Sequence, residues 1–301
     1  MSKKIEGLLP IINTPFLDNE EIDAESLKRQ IDWVYSFPCQ GFGLAMVSEL
    51  LRLTQDERVD ITYQLAELNQ QRGAVIISVG AESTKEALFY ARHAERAGCD
   101  GLIAIPPISS ALPEPALEEY FCSLADEINL PLIIQDASGY VGKPISFELS
   151  IKLLNKYGPD KILFKPEVAP LGPNISKLRD ATQGRAKIFE GSGGISVVDS
   201  YRRKITGIMP GCDLLDAVAA LWEALQNGDD DRIYALFLPI CAIIAIQSQP
   251  GIDGFLAIEK YILKKKGIFT TTQRRRPYTW DLDIETEQEI DRLLLQLEKV
   301  L

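Results

Sequence analysis

AVIISVGAESTKEALFYARHAERAGCDGLIAIPP, residues 74–107, shows the plan of the chain in one period. An apolar run, AVIISVG, leads into an amphipathic stretch headed by Ser83, then a Gly-Cys-Asp turn, then a second apolar run, GLIAIPP. Apolar runs without polar alternation suit parallel strands covered on both faces, and parallel neighbours need a helical crossover between them. The unit recurs about every 30 residues, the length of a strand–helix repeat. Outward from it, further runs begin at Gly7 (GLLPIINTPF), Gly41 (GFGLAM), Pro131 (PLIIQD), Ile162 (ILFKPE), Ala186 (AKIFEG) and Gly207 (GIMPG), eight in all. Eight such units in tandem predict an α/β fold of the (β/α)8 TIM-barrel type. Thr54 followed by Glu57 marks a capped helix start after the second run. Beyond the eighth run, helical patterns near 229–247, 252–266 and 285–301 predict a C-terminal helical extension. Residues 1–225 therefore read as the barrel and 226–301 as helices packed on it, one structural unit.

Composition narrows the chemistry. The 301 residues are 46% hydrophobic and 25% charged, as in ordinary globular proteins, with a formal net charge of −11. That charge repels phosphate backbones and argues against a nucleic-acid partner. No run approaches the ~20 apolar residues of a bilayer span, so no membrane partner is expected. The opening MSKKIEGLLPIINTPF reads as the first strand rather than a signal peptide, because no small-residue cleavage site follows. Cys39, Cys99, Cys122, Cys212 and Cys241 are scattered and odd in number, which predicts reduced thiols, a cytoplasmic setting and no zinc or disulfide framework. His93 is the single histidine, so histidine triads and most zinc hydrolases are excluded. In its helical run His93 reads as a surface or packing residue, and proton transfer falls to Lys, Glu, Asp, Tyr or water.

Barrels of this type place their chemistry at the C-terminal ends of the strands. There Lys165 closes ILFKPE, and a lysine turned inward loses hydration, which favours the neutral, nucleophilic amine. Glu167 lies two residues on and therefore on the same side of the strand. From pattern alone, a structural ion pair explains the two residues as well as a catalytic couple does. Gly191-Ser192-Gly193-Gly194 after the seventh run offers backbone N–H groups and a hydroxyl to a carboxylate, although tight turns need glycine for purely geometric reasons too. Arg274, Arg275 and Arg276 read as a solvated or subunit-contact patch.

Taken together, these segments resemble the dihydrodipicolinate synthase / N-acetylneuraminate lyase family of Schiff-base lyases. Ile12-Asn13-Thr14-Pro15-Phe16 is similar to the family's V-T-P-F, and Leu163-Phe164-Lys165-Pro166-Glu167 to its G-I-K-E/D. Glu190-Gly191-Ser192 matches its S-G-D, and the segment from Ala45 to Glu57-Arg58 aligns with G-T-T-G-E-S-x-x-L-x-x-x-E-R. The departures are specific. Gln135 stands where the synthases and the neuraminate lyases carry the strand-five tyrosine, Tyr140 where the synthases have an arginine, and Met46-Val47 where they have the threonine pair. Tyrosines expected after strand four are replaced around Ile108-Ser109. Loss of that relay disfavours condensation with an aldehyde. Ile134-Gln135-Asp136 and Glu167 instead resemble the branch that dehydrates 2-keto-3-deoxy sugar acids such as 2-keto-3-deoxyarabonate.

The resemblance implies an imine between Lys165 and a small 2-oxo acid, with Glu167 as acid–base and no metal or organic cofactor. It also implies substrate binding by Ser48, Val47, Gly191, Ser192 and Met209, with Gln135, Asp136 and Tyr140 toward the distal hydroxyls. Glu49 is expected to brace its loop, and a homotetramer or homodimer is expected from the family. The alternatives are a pyruvate-releasing aldolase, a synthase-like condensing enzyme, and a barrel that binds without catalysis.

Overall fold

The computed structural model describes residues 3–138 and 143–301. Strands and helices alternate: β1 (Gly7–Leu8), α1 (Ala24–Val34), β2 (Gly41–Leu44), α2 (Gln55–Asn69), β3 (Ala74–Ser78), α3 (Thr84–Ala97), β4 (Gly101–Ala104) and α4 (Glu114–Glu127). The alternation continues through β5 (Leu132–Asp136), α5 (Phe147–Tyr157), β6 (Ile162–Pro166), α6 (Leu171–Ala181), β7 (Phe189–Glu190), α7 (Val197–Arg202), β8 (Gly207–Ile208) and α8 (Leu215–Asn227). Three further helices follow, α9 (Asp230–Ser248), α10 (Ile252–Lys265) and α11 (Ile284–Glu298). Each of the eight expected runs holds a strand, and the fold is a (β/α)8 barrel with C-terminal helices. Local chemistry starts the helices: Thr54 Oγ1 accepts from Glu57 N at 3.3 Å while Glu57 Oε2 accepts from Thr54 N at 2.8 Å. Ser83 caps α3 and Ser146 caps α5 more simply, each hydroxyl accepting from a backbone N–H three residues on, Glu86 N at 3.2 Å and Leu149 N at 3.0 Å.

The chain divides into two compact units, one of Met1–Gly7, Thr54–Gly191 and Asp199–Ile208, the other of Leu8–Leu53, Ser192–Val198 and Met209–Leu301. Within the first, strands β3 to β8 are parallel neighbours in chain order. Ile76 faces Gly101, Leu102 faces Leu132 and Gln135 faces Lys165, while a bridge joins Phe164 to Ile188 and Phe189 faces Gly207. Strands β3 to β5 are buried at every position, as their unbroken apolar sequence requires. Arg58 on α2, buried, reaches the end of β3, donating to the Ser78 and Gly80 carbonyls at 3.2 Å each, with its guanidinium 3.7 Å from the centre of the Tyr90 ring. His93 lies on the outer face of α3, 3.2 Å from the Tyr63 hydroxyl.

In the second unit Ile11 bridges Gly43 on one side and Gly211 on the other, both in parallel. Helix α9 is long and apolar enough, by length and composition, to cross a membrane. Its residues Ile233, Leu236, Ile240, Ile243 and Ile244 are nonetheless buried, as α9 packs with α8, α10 and α11. Arg274 corrects the reading of a solvated arginine patch. It is 4% exposed, donates to the Trp280 carbonyl (2.9 Å) and to Asp281 (2.7 Å), and lies 3.9 Å from the centre of the Tyr278 ring. Sequence shows three adjacent positive charges, but the burial of Arg274 follows from Tyr278, Trp280 and Asp281, within seven positions downstream, and from the Asp253 carbonyl, to which it donates at 3.4 Å. Only Arg276 of the three is exposed, paired with Glu20.

This unit also buries a polar cluster. Asn13 Nδ2 donates to Glu259 Oε2 at 2.5 Å, and Gln247 Nε2 to Asp213 Oδ2 at 2.7 Å. Both carboxyl groups crowd Gly211, where a Cβ would lie 2.7 Å from Glu259 Oε1 and 2.9 Å from Asp213 Oδ1. Burial, then the charge of Asp213, pushes the Glu259 carboxyl well above its ordinary 4.5, and burial raises Asp213 as well. The folded chain thus keeps protons that the unfolded chain releases, so this cluster's stabilisation falls as pH rises above about 4.5. Lys260, pushed down to about 8 by burial, acts in the opposite sense above that pH, which limits the clean window to pH 5–8. Glu259→Gln is expected to flatten the fall of the unfolding free energy, read from urea titrations, across that window, by up to about 1.4 kcal/mol per pH unit for each proton removed. An unchanged slope in the variant refutes this assignment.

Candidate active site

Lys165 is the penultimate residue of β6, and its side chain is 4% exposed. Pairing with β5 runs past the strand end, because Glu167 N donates to the Asp136 carbonyl at 2.9 Å. Glu167 is thereby held on the Lys165 side of the strand. Its carboxylate, 7% exposed, places Oε1 2.9 Å from Lys165 Nζ. Across the ladder, Gln135 is the register partner of Lys165, and its Nε2 donates to Glu167 Oε2 at 2.5 Å. The carboxylate therefore has one oxygen on the amine and the other on an amide.

Gly191, directly after β7, closes the group. A Cβ at this position would sit 2.4 Å from Lys165 Cε, 2.5 Å from Glu167 Oε1 and 2.8 Å from Lys165 Nζ. Only glycine lets the backbone approach the couple this closely. Asp136, though buried, spends both oxygens on its own loop, accepting from Ser138 N at 3.0 Å and Ile145 N at 2.8 Å. Tyr140 lies outside the described residues. Lys165, Glu167, Gln135 and Gly191 are thus brought together, while Asp136 is directed to a structural task.

The other candidates belong to the second unit. Ser48 donates its hydroxyl hydrogen to the Ile12 carbonyl at 2.5 Å and accepts from Ala45 N at 3.0 Å. With that hydrogen committed, the hydroxyl can only accept from a further partner, which does not suit a carboxylate. The Val47 carbonyl accepts from Asn13 Nδ2 at 3.2 Å, Met209 is buried, and Ser192 Oγ accepts from Ser196 N at 3.0 Å. Glu49 has a left-handed φ of 56° and pairs with buried Lys260, while its Oε2 accepts from Arg275 N at 2.7 Å. Lys260 also donates to the Gln273 carbonyl at 2.8 Å. The Glu49–Lys260 pair spans 211 positions, so no local pattern announces it. Among the described residues, no three His, Cys, Asp or Glu side chains gather as metal ligands.

The fold and site together are a (β/α)8 barrel with a buried lysine–carboxylate couple at the end of β6. The chain belongs to the dihydrodipicolinate synthetase family, whose model matches residues 4–297. It is 25% identical over 292 residues to an L-2-keto-3-deoxyarabonate dehydratase of Azospirillum brasilense, covering 94% of this chain and 92% of that protein. A 4-hydroxy-tetrahydrodipicolinate synthase of Persephonella marina is 27% identical over 186 residues, 62% of this chain and 58% of the relative. Among solved structures, dihydrodipicolinate synthase from Rhodopseudomonas palustris matches with a TM-score of 0.89 at 24% identity over 99% of both chains. A prophage protein of the same family from E. coli K12, solved in complex with pyruvate, matches with a TM-score of 0.88 at 20% identity, over 98% of this chain and 99% of that one.

Proposed function

We propose that this protein is a Schiff-base lyase that dehydrates a 2-keto-3-deoxy sugar acid. The observation that carries the reading is the buried contact of 2.9 Å between Lys165 Nζ and Glu167 Oε1. A carboxylate at that distance can take a proton from the ammonium, freeing the amine to attack the C2 carbonyl. Glu167 gives that proton to the departing C2 hydroxyl, and loss of water leaves a protonated imine, an electron sink that needs no metal, with Glu167 a carboxylate again. Glu167 then removes a proton from C3, and the resulting enamine expels the C4 oxygen, which departs as water with the proton Glu167 returns. Hydrolysis releases the unsaturated acid. The dehydratase relative supports this outcome, and the pyruvate complex of the prophage protein supports a small 2-oxo acid as the ligand class. Cleavage of the C3–C4 bond, the aldolase alternative, needs a base at the C4 hydroxyl. Gln135, the neighbour of Glu167, is an amide and lacks that basicity.

The test is borohydride trapping with a panel of 2-oxo acids, read by intact mass and peptide mapping. An adduct on Lys165 supports the reading. An adduct on the other buried lysine, Lys260, overturns it, and free pyruvate with a matching aldehyde overturns the dehydratase assignment.

Gly191→Ala provides a finer check. The added methyl must push Lys165 and Glu167 out of register while leaving the strands in place, since the atoms it meets are side-chain ends. Displacement of about 1 Å in a reacting group costs on the order of 10²-fold, so kcat is expected to fall by about that factor with the thermal unfolding midpoint little changed. Wild-type kcat in the alanine variant contradicts the placement.

A further inference from the structure

Cys122 lies half-buried on α4 and faces the last turn of α5, where Lys156 Nζ donates to its sulfur at 3.4 Å. The Lys156 side chain is half exposed, and its ammonium also lies 3.8 Å from Asp126 Oδ2 and 4.7 Å from the centre of the Tyr157 ring. Tyr157 in turn donates to Asp126 Oδ1 at 2.8 Å. The other four thiols are placed differently. Burial pushes Cys39 and Cys99 up to about 12 and Cys241 up to about 11, and it holds Cys212 well above its ordinary value. The Cys212 and Cys241 sulfurs point at backbone carbonyls, those of Ile11 at 3.4 Å and Ile195 at 3.8 Å. At neutral pH these four stay as thiols. The thiolate is the form that reacts, and at Cys122 it meets a positive charge and an open face.

We propose that Cys122 and Lys156 form a peroxide-responsive covalent cross-link that ties α4 to α5. The oxidant is a hydroperoxide, hydrogen peroxide in the simplest case. The Cys122 thiolate attacks one peroxide oxygen, the O–O bond breaks, and the sulfur becomes a sulfenic acid as hydroxide leaves. That hydroxide takes a proton from the Lys156 ammonium, giving the first water and a neutral amine. The amine attacks the sulfur, an S–N bond forms, and the S–O pair leaves with an amine proton as the second water. Sulfur has lost two electrons, and the two peroxide oxygens have gained them. Asp126 and Tyr157 keep Lys156 where the sulfenic acid appears, so closure of the S–N bond competes with a second oxidation. The loop closed by the cross-link contains β5, and a thiol reductant opens it again. None of this depends on the reaction assigned to Lys165.

The experiment treats the reduced full-length protein with hydrogen peroxide at neutral pH and follows it by intact mass and peptide mapping. The wild-type chain is expected to lose the mass of two hydrogens and to yield a joined peptide pair holding Cys122 and Lys156. Dithiothreitol is expected to restore the starting mass. Lys156→Arg keeps the positive charge but not the nucleophile, since guanidinium stays protonated. Its Cys122 is expected to be oxidised as readily and to stop at a sulfenic acid that dimedone captures. Lys156→Ala loses the charge as well, and oxidation of Cys122 is expected to slow by on the order of tenfold, the weight of one charge-assisted contact. Peroxide consumed first at Cys39 or Cys241 overturns the proposal. So does a wild-type Cys122 that gains two oxygens while Lys156 stays unmodified.

Discussion

Lys165→Ala is expected to abolish the borohydride-trapped adduct and to lower turnover by on the order of 10⁴-fold or more. The size follows from what is removed. Without the amine there is no imine, hence no electron sink to stabilise the carbanion at C3, and no other group replaces a covalent intermediate. Lys165→Arg tests the same point with the positive charge kept: guanidinium remains protonated and is not a nucleophile, so it should be as inactive as alanine. Because Lys165 is buried against Glu167 and Gly191, unfolding curves should accompany the kinetics. A folded Lys165→Ala protein that turns over a 2-oxo acid at a rate near wild type ends the proposed mechanism.

Glu167→Gln separates the two halves of the chemistry. An isosteric amide leaves the fold in place and still allows imine formation at a reduced rate, so the adduct on Lys165 should persist. Proton removal from C3 should not. Turnover is expected to fall by about 10²–10⁴-fold, the usual contribution of a positioned acid–base group. Exchange of the C3 hydrogens of a 2-oxo acid in heavy water, followed by proton NMR, should fall in parallel. Unimpaired exchange in the variant would place the base elsewhere.

The sequence was most legible where the chemistry is local. Strands showed as unbroken apolar runs because both of their faces are covered, and α2 announced its start through Thr54 and Glu57. Strand lengths were less legible: AKIFEG and GIMPG each contain only two residues of regular ladder, Phe189–Glu190 and Gly207–Ile208. The spacing of Lys165 and Glu167 could be read from the two-residue period of a strand, whereas the distance between their reacting atoms could not. Gly191 was legible as part of a glycine-rich turn, but its steric clearance for Lys165 depends on a neighbouring strand 26 positions away, which no local pattern encodes. The same holds for the Asp213–Glu259 cluster, whose members converge only after folding.

The anchoring of Glu49 has an evolutionary consequence. Its carboxylate is tied on one side to Lys260 and on the other to the Arg275 amide, so the turn it occupies is fixed from distant parts of the chain. The identities of Met46 and Val47, just upstream, then contribute little to holding that turn. A lineage can exchange them while the course of the backbone is inherited unchanged.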